Sequence, residues 1–599
     1  MLPRPLRSGV ILLIWLALLP LVGSADGDLR ARLDQLRYQS RPAILGIPLV
    51  SARLLDDFYR QRNDRSVWDH DGRIEDLLRL VEGGVDEGFR PEDFHVRRIR
   101  NIAANRTFLG LFASIPADKE IFLSDSLLRL IHHRHYGKVD PKRLDINWNY
   151  KGPYAHDLLR DLEQVVRARD LRAAVEGLTA RPAFYTRLQQ GMARYRRVAD
   201  AGGWPRIPGG KPLKPHTSDS RVPRLRERLR ATGDFRGPTS NSRIYDAALK
   251  GAVRAFQKRH HLRANGIVDS ATQAALNVPV ERRMDRIRIN LERMRWVSNR
   301  FPDDFLLVDI VDQRAELFRN GRVAWNSRVI VGRPKRPTPM FRDQVEYIEI
   351  NPKWTVPPTI LKKDILPAVR RDPGYLKRKG LQVVTRDGKP VSPRSVNWQV
   401  SPANFPYLIR QPPSARNALG RIKFMFPNRY AVYLHDTPSR GLFKRSRRLY
   451  SSGCVRVEHP WSLAELILDN PRWNRARLRR IVATQRTHQV RLDKPLTIVL
   501  AYWTAKGERD GRVLFRKDIY RRDAALLRAL NRRDDQVRIV YREPRIEATA
   551  PTATASGEGI SRLDTDGWWE GWFDWLPQSE GTDADSTTSR GNDSLLGWD

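Results

Sequence analysis

At 599 residues the chain is several times the roughly 100–200 residues of one domain, so more than one domain is expected. Its 108 Lys and Arg against 68 Asp and Glu leave a net charge of +40, which favours an anionic polymer or surface as neighbour and says nothing of the fold. A single cysteine, Cys454, excludes an internal disulfide framework.

The chain begins with Arg4 and Arg7, then the apolar run Ile11 to Val22, then Gly23-Ser24-Ala25. That is the layout of a secretory signal over residues 1–25 and implies an exported, periplasmic protein. The apolar run falls short of the roughly 20 residues that span a bilayer, although an uncleaved inner-membrane anchor stays open. With no cysteine following it, a lipoprotein anchor is not expected. Export turns the positive charge away from nucleic acid and toward cell-wall glycan, stem-peptide carboxylates and anionic membrane surfaces.

Residues 28–200 read as a helical domain. Ile74, Leu77, Leu78 and Val81 follow the spacing of one buried helix face, ended by Gly83-Gly84. His132, His133 and His135 have no Cys or regular carboxylate at ligand spacing, so a helix surface is expected there rather than a metal site. No metal or other cofactor is expected. Residues 201–218, rich in Pro, Gly and Lys, read as a linker.

Residues 219–278 form a compact unit. Leu225 and Leu229 make one helical face, Ala248, Ala252, Val253 and Phe256 a second, and Asn265-Gly266 turns the chain into a third helix. The run Ala252-Val253-Arg254-Ala255-Phe256-Gln257, with Leu262, Asn265-Gly266-Ile267-Val268-Asp269, Thr272 and Leu276-Asn277, resembles the small three-helix peptidoglycan-binding domain of cell-wall enzymes. A helical spacer whose apolar positions are only core is the alternative. Residues 279–302 are expected to be a connecting helix.

From residue 303 the period becomes strand-like. Ala315 to Arg319 and Arg322 to Ser327 flank Asn320-Gly321, a type I′ hairpin signal. Strands are expected again at Val329 to Val331, Val345 to Ile350, Tyr430 to Leu434 and Leu496 to Tyr502, which gives a mainly β domain over 303–532. The stretch 360–425 has little strand pattern and reads as an insertion of the lid or disordered kind. Residues 546–599 are acidic and of low complexity, interrupted by Trp568, Trp569, Trp572, Phe573 and Trp575. Disorder is expected there.

Cys454 lies in Ser451-Ser452-Gly453-Cys454-Val455-Arg456. Cysteine acyl transfer needs a thiolate, a base or cation to generate it, and donors for the oxyanion. Amides around Gly453 and Cys454 supply candidate donors, Arg456 a cation, and His435 a base on a strand. A lone Cys is more often packed than reactive, so spacing alone leaves the role open.

The wider pattern narrows it. Tyr433-Leu434-His435-Asp436-Thr437-Pro438, Leu442-Phe443 and Ser451 to Val457 resemble the catalytic signature of the L,D-transpeptidases, more closely their large, multidomain periplasmic branch. Val331-Gly332-Arg333, Thr338-Pro339, Asn351 to Pro357, Asn417 to Gly420, Lys423-Phe424, Ala501 to Ala505 and Phe515 to Tyr520 extend the likeness. The resemblance implies a multidomain α+β architecture. A mainly β catalytic domain with a capping insertion at 360–425 would follow an α-helical scaffold domain and the three-helix peptidoglycan-binding domain.

It also implies roles. Cys454 would be the nucleophile and His435 the base, with Gly453 and Tyr433 at the oxyanion, and Ser452, Arg456 and Trp354 around the substrate. Ser452 stands where many shorter members carry a histidine. Donor and acceptor stem peptides of peptidoglycan are the implied substrates, joined diaminopimelate to diaminopimelate with release of D-alanine, and cell-wall synthases are candidate partners. A non-catalytic wall-binding scaffold and an L,D-carboxypeptidase on the same stems are the alternatives. A papain-like hydrolase would place Cys before His, the reverse of the order here.

Overall fold

The computed structural model describes residues 25–49, 52–69, 72–109, 116–144, 155–178, 181–238, 240–298 and 301–532. The apolar start of the chain and the acidic, tryptophan-bearing stretch 546–599 lie outside the described residues. The chain divides into two compact units. One comprises the residues up to Pro302 together with those from Ala501; the other is Asp303–Leu500.

The first unit is helical. Helix α1 (Arg73–Gly83) buries Ile74, Leu77, Leu80 and Val81, and a 3-10 turn carries the chain on from Gly84 to Gly88, whose φ of 80° only glycine adopts freely. Helix α2 (Ala117–Tyr136) is buried all round except at Asp118 and Lys119, the mark of a core helix rather than a surface one. The three histidines expected on a helix surface are therefore interior. His133 is fully buried, with its ring 5.7 Å from that of Phe94 and 6.2 Å from that of Phe89. No group of metal-ligand type is found among the described residues.

Helices α3 (Val222–Ala231), α4 (Ala247–Arg259) and α5 (Ser270–Leu276) pack Leu225, Leu229, Leu249, Val253, Phe256 and Leu276 into one core. Leu249 takes the inward place expected of Ala248, which is exposed. The segment read as a linker belongs to this module: Ile207 and Leu213 enter the same core, and Leu213 bridges Val268. Its Pro, Gly and Lys composition hides two apolar anchors. Helix α6 (Val280–Ser298) follows. Among the described residues no helix is long and apolar enough to cross a membrane.

The second unit is built on strands β1 (Phe305–Asp309), β2 (Arg314–Arg319), β3 (Arg322–Gly332), β4 (Phe341–Ile350), β5 (Trp354–Thr355), β6 (Gln382–Val384), β7 (Pro390–Val391), β8 (Leu408–Gln411), β9 (Ile422–Met425), β10 (Leu434–His435), β11 (Leu449–Ser451), β12 (Val455–Val457) and β13 (His488–Ala501). Nine of these make one sheet in the order β11-β3-β12-β10-β9-β4-β13-β1-β2, and the pairing of β2 with β3 closes the order on itself. Asn320 and Gly321 carry φ of 50° and 69°, the two positive values that a type I′ turn requires.

Two expectations change here. Tyr430 to Leu434 is not one strand: the Asn428 side chain bonds the Phe426 and Val432 carbonyls and the Val432 amide, and Ala431 turns through φ 48°. Only Leu434–His435 remains extended and paired. The 360–425 insertion, for its part, has regular structure. It contributes to a four-stranded antiparallel sheet, β5-β8-β6-β7, over a core that includes Trp354, Ile365, Leu366, Leu376, Val383 and Ile409.

Candidate active site

The site begins with a parallel pair. β10 and β12 align Leu434 with Val455 and His435 with Arg456. Leu434 and Val455 are fully buried in the core, and side chains alternate along a strand, so Tyr433, His435, Cys454 and Arg456 all lie on the opposite face. Two more strands extend the row: β9 sets Lys423 beside His435, and β4 sets Glu349 beside Lys423. Truncating Leu434 to Ala would cost about 2–5 kcal/mol and with it the register of the whole row.

The loop that carries Cys454 is held from both sides. Ser451 Oγ accepts from the Gly453 amide (3.2 Å) and donates to the Cys454 carbonyl (2.6 Å). Thr338 Oγ1 donates to the Gly453 carbonyl (2.8 Å) and accepts from the Gly332 amide (2.9 Å). Gly453 has φ 124°, so the loop depends on glycine there. The Gly453 amide is thus bonded to Ser451.

Gly332 lies under the same clamp. A Cβ at this position would stand 2.2 Å from the Arg336 carbonyl oxygen and 2.6 Å from the Thr338 amide nitrogen, backbone atoms that cannot swing aside. Gly332→Ala is expected to destabilise the catalytic unit by about 3 kcal/mol. A thermal melt checks this, and an unchanged midpoint would show that the clamp yields.

Cys454 is half-buried, and its Sγ donates to the Ala431 carbonyl at 3.6 Å. Burial pushes the thiol above its usual range. Hydrogen bonds from the Tyr433 amide and hydroxyl, and the cations of Lys423 and Arg456, act against that rise. Burial raises the Tyr433 hydroxyl well above the ordinary phenol range. Lys423 Nζ sits 4.6 Å over the Tyr433 ring and 3.4 Å from Glu349 Oε2. At neutral pH the free site holds a thiol, surrounded by groups that favour the thiolate once it forms.

These partners set an expected result. The rate of Cys454 alkylation by iodoacetamide should keep climbing as pH rises past 9, the ordinary thiol value. Tyr433→Phe removes a group that favours the thiolate and should slow alkylation at pH 8. An alkylation profile that levels off near pH 7 would contradict both statements.

His435 is only 4% exposed, and its Nδ1 lies 2.5 Å from the Asp436 carbonyl oxygen. A carbonyl can only accept, so Nδ1 carries the proton and Nε2 keeps a lone pair. Burial first, then the cations of Arg456 and Lys423, lower its pKa to about 3. Asp436 anchors this segment through the Arg421 amide (3.0 Å) and Arg440 Nη1 (3.0 Å). The ring is neutral and oriented, on the same face as the thiol and opposite a residue two positions beyond it.

The remaining expected residues fall around this row. Ser452 Oγ turns to Arg336 Nη1 (3.0 Å) and Arg333 Nη2 (3.4 Å). Arg456 and Trp354 line a cavity of about 420 Å³ together with Asp364, Tyr375, Arg416 and Thr437, a space that includes the insertion's own residues. Cys454 itself does not line it. Lys423, Thr338 and Arg336 had no assigned role in the sequence reading, because only the fold brings them to the loop that carries the thiol, while Ser451 stood in the run around Cys454 without one. Lys423 and Thr338 did stand inside the family-like stretches.

Comparison with known proteins agrees with this construction. Residues 303–482 match the family described as the L,D-transpeptidase catalytic domain, 53–192 match the one described as a scaffold domain, and 218–276 match a "putative peptidoglycan binding domain". A Haemophilus influenzae protein named "Putative L,D-transpeptidase" is 34% identical over 239 residues, 39% of this chain and 47% of that relative. The match therefore spans about half the relative's length. Two crystal structures of L,D-transpeptidases, from Xylanimonas cellulosilytica and Stackebrandtia nassauensis, are 15% and 13% identical. Each covers 49% of this chain, and 98% and 96% of their own chains are matched, at TM-scores of 0.16 and 0.17. Scores so low add nothing to the fold described above. The chain thus carries a sheet-rich region that matches the L,D-transpeptidase catalytic domain, preceded by regions that match a scaffold domain and a peptidoglycan-binding domain.

Proposed function

We propose that the protein is an exported cysteine L,D-transpeptidase that joins peptidoglycan stem peptides through a Cys454 thioester. The observation that carries this reading is the parallel β10–β12 pair, which sets thiol, imidazole, phenol and guanidinium on one face.

In the proposed reaction the thiol proton passes to His435 Nε2 as Sγ attacks the carbonyl carbon of the diaminopimelate–D-alanine bond. The Cys454 amide and the Tyr433 hydroxyl hold the oxyanion. Collapse breaks the C–N bond, His435 returns its proton to the leaving amine, and D-alanine departs. The side-chain amine of a second diaminopimelate then attacks the thioester, giving up a proton to His435. The thiolate leaves as the new amide forms, and it is reprotonated. Arg456, reaching into the cavity beside the insertion, is placed to hold a substrate carboxylate.

Incubation with a defined tetrapeptide muropeptide, followed by mass analysis of the products, tests the proposal. Dimers joined through diaminopimelate are expected, and Tyr433→Phe should lower their yield about 10²-fold, as loss of one oxyanion donor does. Tripeptide alone would make the protein a carboxypeptidase. No turnover at all would favour a wall-binding scaffold.

A further inference from the structure

Arg336 stands between two elements that the reaction scheme treats separately. On one side its Nη1 donates to Ser452 Oγ (3.0 Å), in the loop that carries Gly453 and Cys454. On the other it forms a two-pronged ion pair with Asp364, Nη2 to Oδ1 at 2.8 Å and Nη1 to Oδ2. Asp364 lies in the insertion, on a π-helical turn (Leu361–Ile365), a distortion common at functional sites. Both side chains are largely shielded from water, at 11% and 20% exposure. A forked guanidinium is the one side chain able to hold a carboxylate with two bonds and still donate to a hydroxyl.

Trp354, on β5 in the insertion's sheet, lines the same cavity as Asp364.

We infer that Arg336 is a positioning residue that latches the 360–425 insertion to the nucleophile loop through Asp364 and Ser452, so that closure of the insertion and placement of Cys454 occur together. With the latch made, the thioester is covered against water; with it broken, water gains access and the loop loses one of its fixed points. The access effect stands on the geometry alone, and only the product effect rests on the acyl-transfer reading.

The test uses the full chain and two thiol reagents, iodoacetamide and a bulky polyethylene-glycol maleimide. In Arg336→Ala and in Asp364→Asn, alkylation of Cys454 by the bulky reagent should rise about ten-fold relative to the small one. The double variant should do no more than the larger single, since both remove the same pair. Arg336→Lys, which keeps the charge and loses the fork, should restore only part of the wild-type ratio. With tetrapeptide stem as donor and acceptor, Asp364→Asn should raise the share of hydrolysed tripeptide over cross-linked dimer. Unchanged reagent ratios in both single variants, or effects that multiply in the double, would overturn the latch. A wild-type protein that forms no acyl-enzyme would sink the proposed function while the reagent ratios still decide the latch. If Arg336→Ala fails to fold, Asp364→Asn, nearly identical in shape, carries the same test.

Discussion

Cys454→Ala should abolish acyl transfer while leaving the fold intact. The thiol is half-buried, and it donates to the Ala431 carbonyl over a long 3.6 Å, so its loss leaves little unsatisfied. The loop's own clamps, Ser451 and Thr338, use backbone groups of Gly453 and Cys454 that alanine preserves. Stability should therefore change by less than about 1 kcal/mol. Activity should fall on the order of 10⁶-fold, as when a nucleophile that acts as a unit with its base is removed. A melting curve and single-turnover product analysis measure the two parts. Residual cross-linking within about ten-fold of wild type would place the chemistry on another residue.

His435→Gln should be the next most damaging change. The imidazole is the oriented acceptor on the thiol's face, and general-base removal costs about 10²–10⁴-fold. Its Nδ1 proton also satisfies the buried Asp436 carbonyl, so some loss of stability, about 1–3 kcal/mol, is expected beside the catalytic loss.

The same histidine sets an acid limit. Its pKa is about 3 in the folded chain against 6.5 in an unfolded one. The unfolded state binds the proton first, so this contribution is fully present above about pH 6.5 and is lost as pH falls toward 3. The slope is up to about 1.4 kcal/mol per pH unit. The pH profile of kcat/KM should show no limb near 6.5; a limb there, absent in His435→Gln, would mean that the ring titrates as an exposed imidazole.

Legibility in the sequence followed the length and regularity of each element. The Asn320-Gly321 hairpin was readable because turn chemistry is local, and the Val345 to Ile350 strand because it is rich in β-branched and aromatic residues. The run around Cys454 was readable as a resemblance, and the parallel pairing then explains why His435 and Arg456 accompany the thiol. The insertion was not readable as a sheet, since β5 and β7 are two residues each and too short to show a period. The end of the expected Tyr430 strand was hidden for a different reason: one side chain, Asn428, supplies the hydrogen bonds that a neighbouring strand would have made. Helix α2 misled through its polar residues, which are interior because they bond one another, as Asp125 and Arg129 do at 3.1 Å. Lys423, Thr338 and Arg336 are long-range neighbours of the thiol, and nothing in a one-dimensional pattern sets them there.

The central claim is that Cys454 forms an acyl-enzyme with the stem peptide. Intact-protein mass spectrometry after brief mixing with a tetrapeptide donor, quenched in acid, measures it directly. The account predicts a mass gain equal to the donor less D-alanine, mapped by proteolysis to the peptide containing Cys454 and absent in Cys454→Ala. Product formation without any such adduct, or an adduct retained in Cys454→Ala, would contradict it.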